Sequence, residues 1–353
     1  MAPKFTYWES LTPVPLLTTD LAMLTLEFRA VEPHIPDILC YNGTMKNKHL
    51  EHPEDSILNK GREGALEILK YLKSKKNEIS VKYDGAPAIV WGRNPENGKF
   101  FVGTKSVFNK VKIKINYTHH DIEVNHGHIP RVASILHLCF EKLPRYDGIF
   151  QGDFIGYGGT DTFDPNTITY KFDKDIKQDI VVAAHTRYIG RQMKNLEAVF
   201  HYNNAWSEEV KFLDATASIN KRSRKLDLLL SLAQTACRFV RFPTTKEGEK
   251  IKVIVNSFIR EQKELNPEAL AAATGFGKNL FYLYNFIIEI KELLMEGITS
   301  KENIECFIDA VKCEHEGYVM TNDFGTYKLV NRKQFSYANF NVRKEWKKEM
   351  SLT

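Results

Sequence analysis

Two segments that lie far apart in the sequence show the pattern of a β-hairpin, and they restrict the fold more than any other feature. Residues 88–103 alternate around an Asn-Pro-Glu-Asn-Gly turn, and residues 316–330 alternate around Asn-Asp-Phe-Gly. Turn residues between two alternating runs are a strong local sign of a hairpin. Further strands are predicted at 79–82, 148–156, 167–172 and 180–185.

Between the hairpins, from about 190 to 312, apolar residues recur at helical spacing. One stripe lies within 226–233 and another within 251–259, and Thr244 and Glu247 have the spacing of a capping box ahead of the second. The helical pattern continues over 280–294 and 304–311. Helices are also predicted at 61–76 and 132–143.

These patterns predict an α+β fold in which a mainly helical insert interrupts a β-rich domain. The insert spans 191–312, and the interrupted domain consists of 61–190 and 313–353. Prolines at 3, 13, 15, 33, 36 and 53 predict an N-terminal extension over 1–60 without long regular elements.

Two neighbouring segments have weaker patterns. Residues 110–115 alternate basic and apolar side chains, which predicts a half-exposed strand. Residues 116–130 are polar and contain His119, His120, His126 and His128. Because the spacing of these histidines matches no established zinc motif, the segment is predicted to be a polar loop that contacts substrate.

The composition narrows the class of protein. The five cysteines are an odd number without the spacing of a disulfide framework, and they include no C-x-x-C pair, which argues against structural zinc on cysteines. A reducing compartment is therefore favoured, and a cytoplasmic location is expected. We expect a soluble protein without a membrane partner, because the apolar stretches are shorter than the roughly 18 residues that a spanning helix needs. The net charge of +5 permits nucleic-acid binding, and basic residues cluster at 105–114, 221–225 and 343–348.

Five short segments contain the residues from which chemistry is expected. They are Lys82-Tyr83-Asp84-Gly85, Gly103-Thr104-Lys105-Ser106, Phe150-Gln151-Gly152-Asp153, Glu316-Gly317-Tyr318-Val319 and Tyr327-Lys328-Leu329-Val330. In this order the set resembles the motifs of the covalent nucleotidyltransferase superfamily, which comprises DNA ligases, RNA ligases and mRNA-capping enzymes. The resemblance covers residues 79–188 and 314–335. More closely, 84–88 and 94–99 look like a poorly characterised ligase-like group from T4-like phages.

The resemblance implies a ligase-type adenylation domain of antiparallel sheets flanked by helices, together with a role for each motif residue. Lys82 would attack the α-phosphate of ATP and carry AMP covalently, and Lys328 would contact that phosphate. Asp153 and Glu316 would bind Mg²⁺ or Mn²⁺ and contact the nucleotide. The other nucleotide-binding residues implied are Asp84, Gly85, Lys105 and His185, with Phe172 as the alternative to His185 for stacking on adenine.

The chain departs from the family pattern at two positions. Pro87 stands where DNA ligases commonly have arginine, and Thr326 replaces the first lysine of the last motif. A further departure concerns length, because only 23 residues follow Val330, which is too few for the OB-fold that DNA ligases and capping enzymes carry there.

These considerations favour an ATP-dependent RNA ligase that transfers AMP to a 5′-phosphate and seals that end to a 3′-hydroxyl. The expected partner is a nucleic acid with those ends, RNA rather than DNA, in the cytoplasm of the infected host cell if the protein is phage-encoded. Two alternatives stay open. One is a DNA ligase acting on nicks, and the other is a catalytically inactive nucleic-acid-binding relative.

Overall fold

The computed structural model describes residues 50–202, 205–333 and 335, and within them helices combine with antiparallel sheets. The predicted α+β class is confirmed. The predictions for residues 1–49 and for the basic cluster at 343–348 lie outside the described residues. Among the described residues, no helix combines the length and apolarity that crossing a membrane requires.

The helices are α1 (Ser56–Asn59), α2 (Gly61–Lys73), α3 (His119–His126), α4 (Pro130–Lys142), α5 (Arg224–Ala236), α6 (Thr245–Arg260), α7 (Pro267–Thr274) and α8 (Lys278–Met295). The strands are β1 (Glu78–Lys82), β2 (Ala88–Arg93), β3 (Phe100–Gly103), β4 (Ile149–Tyr157), β5 (Thr162–Phe163), β6 (Thr169–Lys171), β7 (Ile180–Ile189), β8 (Glu197–Phe200), β9 (Val210–Phe212), β10 (Thr216–Ile219), β11 (Ile298–Ser300), β12 (Glu305–Ile308), β13 (Val311–Cys313), β14 (Gly317–Asn322) and β15 (Gly325–Val330).

The strands form three sheets. The first sheet has the order β11-β10-β1-β14-β15, the second β3-β2-β4-β7-β8, and the third β13-β12-β6-β5. β9 joins the second sheet through a parallel pairing with β7. In the first sheet β1 lies between β10 and β14, so strands from three distant parts of the chain are neighbours.

Both predicted hairpins are present, and their turn residues explain why. In the turn between β2 and β3, Asn94 Oδ1 accepts a hydrogen bond from the backbone N–H of Glu96 at 2.8 Å. In the turn between β14 and β15, Asn322 Oδ1 accepts from the N–H of Phe324 at 2.9 Å. Side-chain acceptors of this kind satisfy backbone donors that the turn leaves unpaired.

The largest apolar core lies between the first sheet and the helices α1, α2 and α5–α8. The predicted helical stripes at 226–233 and 251–259 belong to α5 and α6, and their apolar residues pack into this core. The predicted capping box is also confirmed, since Thr244 and Glu247 each bond the other's backbone at the start of α6.

Short helix α1 lies against the backbone of two other helices at glycines. A Cβ atom added to Gly64 in α2 would lie 2.1 Å from the carbonyl oxygen of Ser56. A Cβ atom added to Gly248 in α6 would lie 1.7 Å from the carbonyl oxygen of Leu58. Both distances are far below van der Waals contact, so the packing of α1 requires glycine at both positions.

A buried charge network connects the residues before α1 to α8 and to the end of β15. Lys291 Nζ donates to the Glu54 carboxylate at 3.0 and 3.2 Å and to the carbonyl oxygen of Val330 at 2.9 Å. Arg332 Nη1 donates to Asp55 Oδ1 at 2.9 Å. Lys291 and Glu54 are almost fully inaccessible to solvent, at 1% and 0% exposure, so each depends on the other for charge compensation.

Three local predictions are wrong. Residues 110–115 do not form a strand; in the described structure, the pairing with β3 is limited to one bridge, between Val102 and the following residue, Asn116. The predicted polar loop at 116–130 contains α3, whose capping box consists of Thr118 and Asp121. The helical pattern at 304–311 belongs to the hairpin of β12 and β13.

The predicted insert contains both helices and sheet strands. Residues 224–295 are mostly helical, as predicted, but β8–β12 also fall within 191–312. β8 and β9 extend the second sheet, β10 and β11 extend the first, and β12 extends the third. The strands of this segment therefore complete sheets that begin in residues 61–190.

Candidate active site

A cavity of about 350 Å³ lies between the first and second sheets. Its first-sheet wall comes from β1, β14 and β15, and its second-sheet wall from β4, β7 and β8. The cavity brings together six of the predicted site residues, which are Lys82, Lys105, Asp153, His185, Glu316 and Lys328.

Lys82 is the last residue of β1, and the register of the first sheet puts it opposite Gly317. Its Nζ donates to Glu316 Oε2 in a short ion pair. Gly317 has a φ of +145°, and a Cβ atom there would lie 2.1 Å from the carbonyl oxygen of Leu329. Glycine at 317 therefore allows the tight start of β14 that holds Glu316 beside Lys82.

The ion pair determines the charge state of Lys82. Burial alone would lower the pKa of its amine, but the Glu316 carboxylate, with smaller contributions from Asp153 and Asp84, raises that pKa above the ordinary value. Lys82 is therefore an ammonium in this state. The protein groups alone therefore do not favour the neutral amine that a nucleophilic lysine requires.

Lys328 lies on the neighbouring hairpin, opposite Val319 in the pairing of β14 with β15. Its backbone N–H donates to the carbonyl oxygen of Glu51 at 3.1 Å, which anchors the strand on its outer side. Burial and the charge of Lys82 lower the pKa of the Lys328 amine. Lys82 and Lys328 thus share one cavity, although they are 246 positions apart in the sequence.

Asp153 and His185 lie on adjacent strands of the second sheet. Asp153 Oδ2 is 3.9 Å from His185 Nε2. Burial raises the pKa of Asp153 to about 7, against the lowering effect of Lys82 and Lys105. Burial, followed by the charges of Lys105 and Lys82, lowers the pKa of His185 to about 3, so this ring is neutral. Its Nδ1 lies 2.7 Å from Thr186 Oγ1.

Lys105 lies at the rim of the cavity in a short 3₁₀ turn that follows β3. Thr104 Oγ1 accepts a hydrogen bond from the N–H of Ser106 at 3.3 Å and so caps this turn. Lys105 is exposed, whereas Lys82 and Lys328 are partly buried. An ammonium at the rim can meet an anionic group as it enters.

Asp84 and Gly85 lie beside the cavity wall and do not line it. The Asp84 carboxylate accepts hydrogen bonds from Asn166 Nδ2 at 2.6 Å and from the N–H of Thr167 at 3.0 Å. A Cβ atom at Gly85 would lie 2.7 Å from Asp153 Cβ. The structure therefore gives these two residues contacts that position the loop after β1, and their role in nucleotide binding stays a prediction.

The two candidates for an aromatic stacking residue occupy different environments. His185 lines the cavity, whereas the ring of Phe172 packs against Phe163 with centroids 5.5 Å apart and against the main core. Of the two, His185 alone has access to a ligand in the cavity.

Several cavity residues are absent from the set that the sequence predicts. Gln151 Oε1 accepts from the Tyr188 hydroxyl at 2.7 Å, which fixes the orientation of the amide. His201 lies 3.0 Å from Ser80 Oγ and 2.7 Å from Thr321 Oγ1. The sequence does contain a signal for Gln151 and Ser80, because each lies two positions before a predicted site residue and so projects from the same face of its strand.

In the described part of the chain, the cavity has two carboxylates, which are too few to bind a metal ion without further ligands from a nucleotide. Among the described residues, no group of three or more histidine, cysteine, aspartate or glutamate side chains is arranged to hold an ion. Asp153 and Glu316 nevertheless both face the cavity. Mg²⁺ commonly binds through one or two carboxylates together with substrate phosphates. The two residues therefore fit an ion that arrives with a nucleotide.

Two of the four basic side chains in the cluster at 221–225 have partners within the described part of the protein. The Arg222 guanidinium donates to the carbonyl oxygen of Leu72 at 3.3 and 3.4 Å and to Asp227 at 3.0 Å. Lys225 pairs with Glu289 at 3.3 Å. Arg222 thus joins α5 to the end of α2, which is a structural contact.

Fold and site together define a class: an α+β protein with a cavity between two antiparallel sheets, lined by lysines and carboxylates. The sequence matches a family of unknown function, DUF6267, over residues 47–276 and 268–344, and the chain belongs to that family. The search of curated proteins and the search of solved structures each found no match.

Proposed function

We propose that this protein is an ATP-dependent polynucleotide ligase that acts through a lysyl-AMP intermediate on Lys82, with RNA as the favoured substrate. The observation that carries the proposal is the meeting of Lys82, Asp153, Glu316 and Lys328 in one cavity between two sheets. These residues come from four of the five motifs that resemble those of the nucleotidyltransferases. The cavity also has apolar wall residues, including Ala184, Ala198 and Phe200, beside which a nucleobase can lie.

The proposed first step forms a bond between Lys82 Nζ and the α-phosphorus of ATP. The bond from that phosphorus to the bridging oxygen breaks, and pyrophosphate leaves with the electron pair. Only the neutral amine is a nucleophile, so the ion pair with Glu316 must first be resolved. Glu316 contacts the amine and burial raises the pKa of its carboxyl, so we assign Glu316 as the group that takes the proton, which leaves Asp153 as the carboxylate for the metal during this step.

Lys328 and the metal would act on the phosphates. The ammonium of Lys328 would meet the charge that develops on the α-phosphate, a form of stabilisation that is strong in a site shielded from water. Mg²⁺ held by carboxylates and nucleotide phosphates would neutralise phosphate charge. In the later steps, AMP passes to a 5′-phosphate, and a 3′-hydroxyl displaces AMP to form the phosphodiester bond.

The first experiment is incubation of the full chain with α-labelled ATP and Mg²⁺, followed by denaturing electrophoresis. We expect covalent label on the wild type and none on Lys82→Ala. Lys211→Ala is the matched control, because Lys211 is also paired with a glutamate and its side chain is 29% exposed, against 30% for Lys82. An unlabelled wild type, or label that persists in Lys82→Ala, would refute the ligase proposal.

A second experiment compares RNA and DNA substrates. Single-stranded RNA, nicked RNA duplex and nicked DNA, each with a 5′-phosphate, are offered to the labelled protein. We expect RNA ends to be sealed faster than nicked DNA. Preferential sealing of nicked DNA would replace RNA ligase with DNA ligase.

The ion pair between Lys82 and Glu316 also favours a second function, a relative that binds nucleotides without catalysis. A lysine whose pKa is raised by a contacting carboxylate is well suited to hold a phosphate as a cation. Calorimetric binding of ATP without covalent labelling would select this function over the ligase.

A further inference from the structure

Among the charged residues of 97–120, aside from histidine, all are positive. The segment contains five lysines and no aspartate or glutamate. Of the five, Lys105 lines the rim of the cavity, and Lys110 and Lys112 follow on an exposed segment. We call Lys105, Lys110 and Lys112 the lysine band. A uniform positive charge that begins at the cavity and continues along the surface indicates an anionic ligand longer than a nucleotide.

The lysine band is not neutralised by the protein. In the described ranges no ion pair joins Lys105, Lys110 or Lys112 to a carboxylate. Some lysines on other surfaces are paired, among them Lys60, Lys142 and Lys312, and others, such as Lys75 and Lys76, have no ion pair in those ranges either. What sets the band apart is therefore its position beside the cavity. Lys114 differs from the band, because its Nζ donates to the carbonyl oxygen of Asn125 at 2.9 Å. The three band lysines therefore keep their charge available for an external anion.

The backbone of the band is held in an uncommon conformation. Lys112 has a φ of +54°, in the left-handed region that residues with a Cβ atom rarely adopt. The neighbouring apolar side chains point into solvent, with Val111 77% and Ile113 57% exposed. Such backbone strain persists where the exposed geometry itself is used, as at ligand-binding segments.

We propose that the lysine band is the surface on which the phosphate backbone of the polynucleotide lies as its end enters the cavity. This inference rests on the proposed function, and it adds the path of the substrate strand. Successive phosphates would meet Lys112, Lys110 and then Lys105, while the exposed Val111 and Ile113 contact sugars or bases. An anionic membrane is a poorer match, because a flat surface makes no use of the cavity beside Lys105, whereas the end of a strand can enter it.

The test measures binding of a fluorescently labelled, 5′-phosphorylated single-stranded RNA to the full chain by anisotropy, without ATP. The variant combines Lys110→Gln with Lys112→Asn, since asparagine tolerates a positive φ better than most residues. We expect affinity at low salt to fall about tenfold. The slope of log affinity against log salt should become shallower by about 1.4, because each phosphate that a lysine neutralises contributes roughly 0.7 to the slope for a single strand.

The matched control combines Lys75→Gln with Lys76→Gln. These lysines are exposed and lie before β1, at the end opposite Lys82. We expect this control to bind like the wild type. Equal weakening in both variants, or unchanged affinity and salt slope in the band variant, would overturn the proposal. Binding to anionic vesicles that is abolished in the band variant, with RNA binding unchanged, would also overturn it.

Labelling of the wild type with α-labelled ATP separates this inference from the proposed function. If the band variant loses RNA binding and the wild type is not labelled, the proposed docking surface is supported and the proposed ligase activity is refuted. A labelled wild type whose band variant binds RNA normally keeps the ligase and refutes the docking surface.

Discussion

Gly85 occupies a position where even a methyl group does not fit. A Cβ atom there would lie 2.7 Å from Asp153 Cβ, 2.7 Å from the carbonyl oxygen of Phe154 and 2.9 Å from Ile155 Cδ1. All three atoms belong to β4, so the strand must shift to admit a side chain. The glycine of the first motif is thereby coupled to the carboxylate of the third.

We therefore expect Gly85→Ala to destabilise the protein by about 1–3 kcal/mol, the usual cost of overpacking, and to displace Asp153. Urea denaturation measures the change in the free energy of unfolding. Gly277→Ala is the control, because a Cβ atom at Gly277 meets nothing within 4 Å and its φ is −67°. Since Gly277 is the N-cap of α8, we expect this variant to lose at most about 1 kcal/mol, from the poorer cap, and to leave Asp153 in place. Equal stability of Gly85→Ala and wild type would show that β4 yields freely.

At the level of residues, the sequence predicted which charged side chains gather in the cavity but not what they do to one another. The resemblance to a family in which the motifs line one cleft predicts that Lys82, Asp153, Glu316 and Lys328 lie together, and all four line the cavity. The ion pair that raises the pKa of Lys82 depends on the register between β1 and β14, which puts Lys82 opposite Gly317. The register between two strands so far apart in the sequence cannot be predicted from the residues of either strand alone.

At the level of elements, α6 and α1 show how a packing constraint reverses a helix propensity. Replacing an interior helical glycine by alanine ordinarily stabilises a helix by about 1 kcal/mol. At Gly248 a methyl group would lie 1.7 Å from the carbonyl oxygen of Leu58, so α1 would have to move away from α6. The cost of separating the two helices outweighs the gain in propensity.

The expected result for Gly248→Ala is destabilisation on the order of 2–3 kcal/mol, seen as a lower midpoint in thermal unfolding. Glu249→Ala changes the neighbouring, exposed residue of the same helix and should stay within about 0.5 kcal/mol of the wild type. Stabilisation by Gly248→Ala would mean that propensity prevails and that α1 packs loosely.

Helices and strands are predicted correctly from the sequence where turn residues or a capping box accompany the apolar periodicity. The two hairpins have turn residues, and α6 has its capping box. Residues 110–115 alternate, but in the described structure their segment pairs with β3 only through one bridge at Asn116, and alternation without a paired strand does not make a sheet. The start of α3 had a usable signal in Thr118 and Asp121. The turn between β12 and β13 did not, because Asp309 and Ala310 both adopt positive φ, which alanine rarely does.

At the scale of the whole molecule, the buried charge network ties residues from both ends of the described chain. Lys291→Met would leave the Glu54 carboxylate buried with one cation fewer. Breaking a buried pair on one side is expected to cost about 3–5 kcal/mol, because the uncompensated charge stays buried. Denaturant unfolding of Lys291→Met measures this loss.

A double-mutant cycle with Glu54→Gln identifies the cause. If the cost is an unpaired charge, Lys291→Met combined with Glu54→Gln should be less destabilised than the sum of the two single variants. Strict additivity would indicate that Lys291 acts through its hydrogen bond to the carbonyl oxygen of Val330 instead.

At this scale, the order of the strands in the sheets is the feature that the sequence predicts least well. The sequence indicated a β-rich domain interrupted by helices, and the α+β class follows from that. It did not indicate that β10 and β11 extend the sheet of Lys82, because these strands are four and three residues long and flank a long helical segment. Pairings between such distant short strands depend on the packed core and not on local pattern.

The central place of β1 in the first sheet also has a consequence for protein synthesis. Lys82 and its partner Glu316 are 234 positions apart, a length that a ribosome adds in roughly 10 to 50 seconds at about 5–20 residues per second. Throughout that interval β1 has been made but β14 has not, so one edge of the strand has no native partner. An exposed strand edge of this kind is a site of mispairing, so the edge of β1 is open to non-native partners until β14, which ends at Asn322, has emerged.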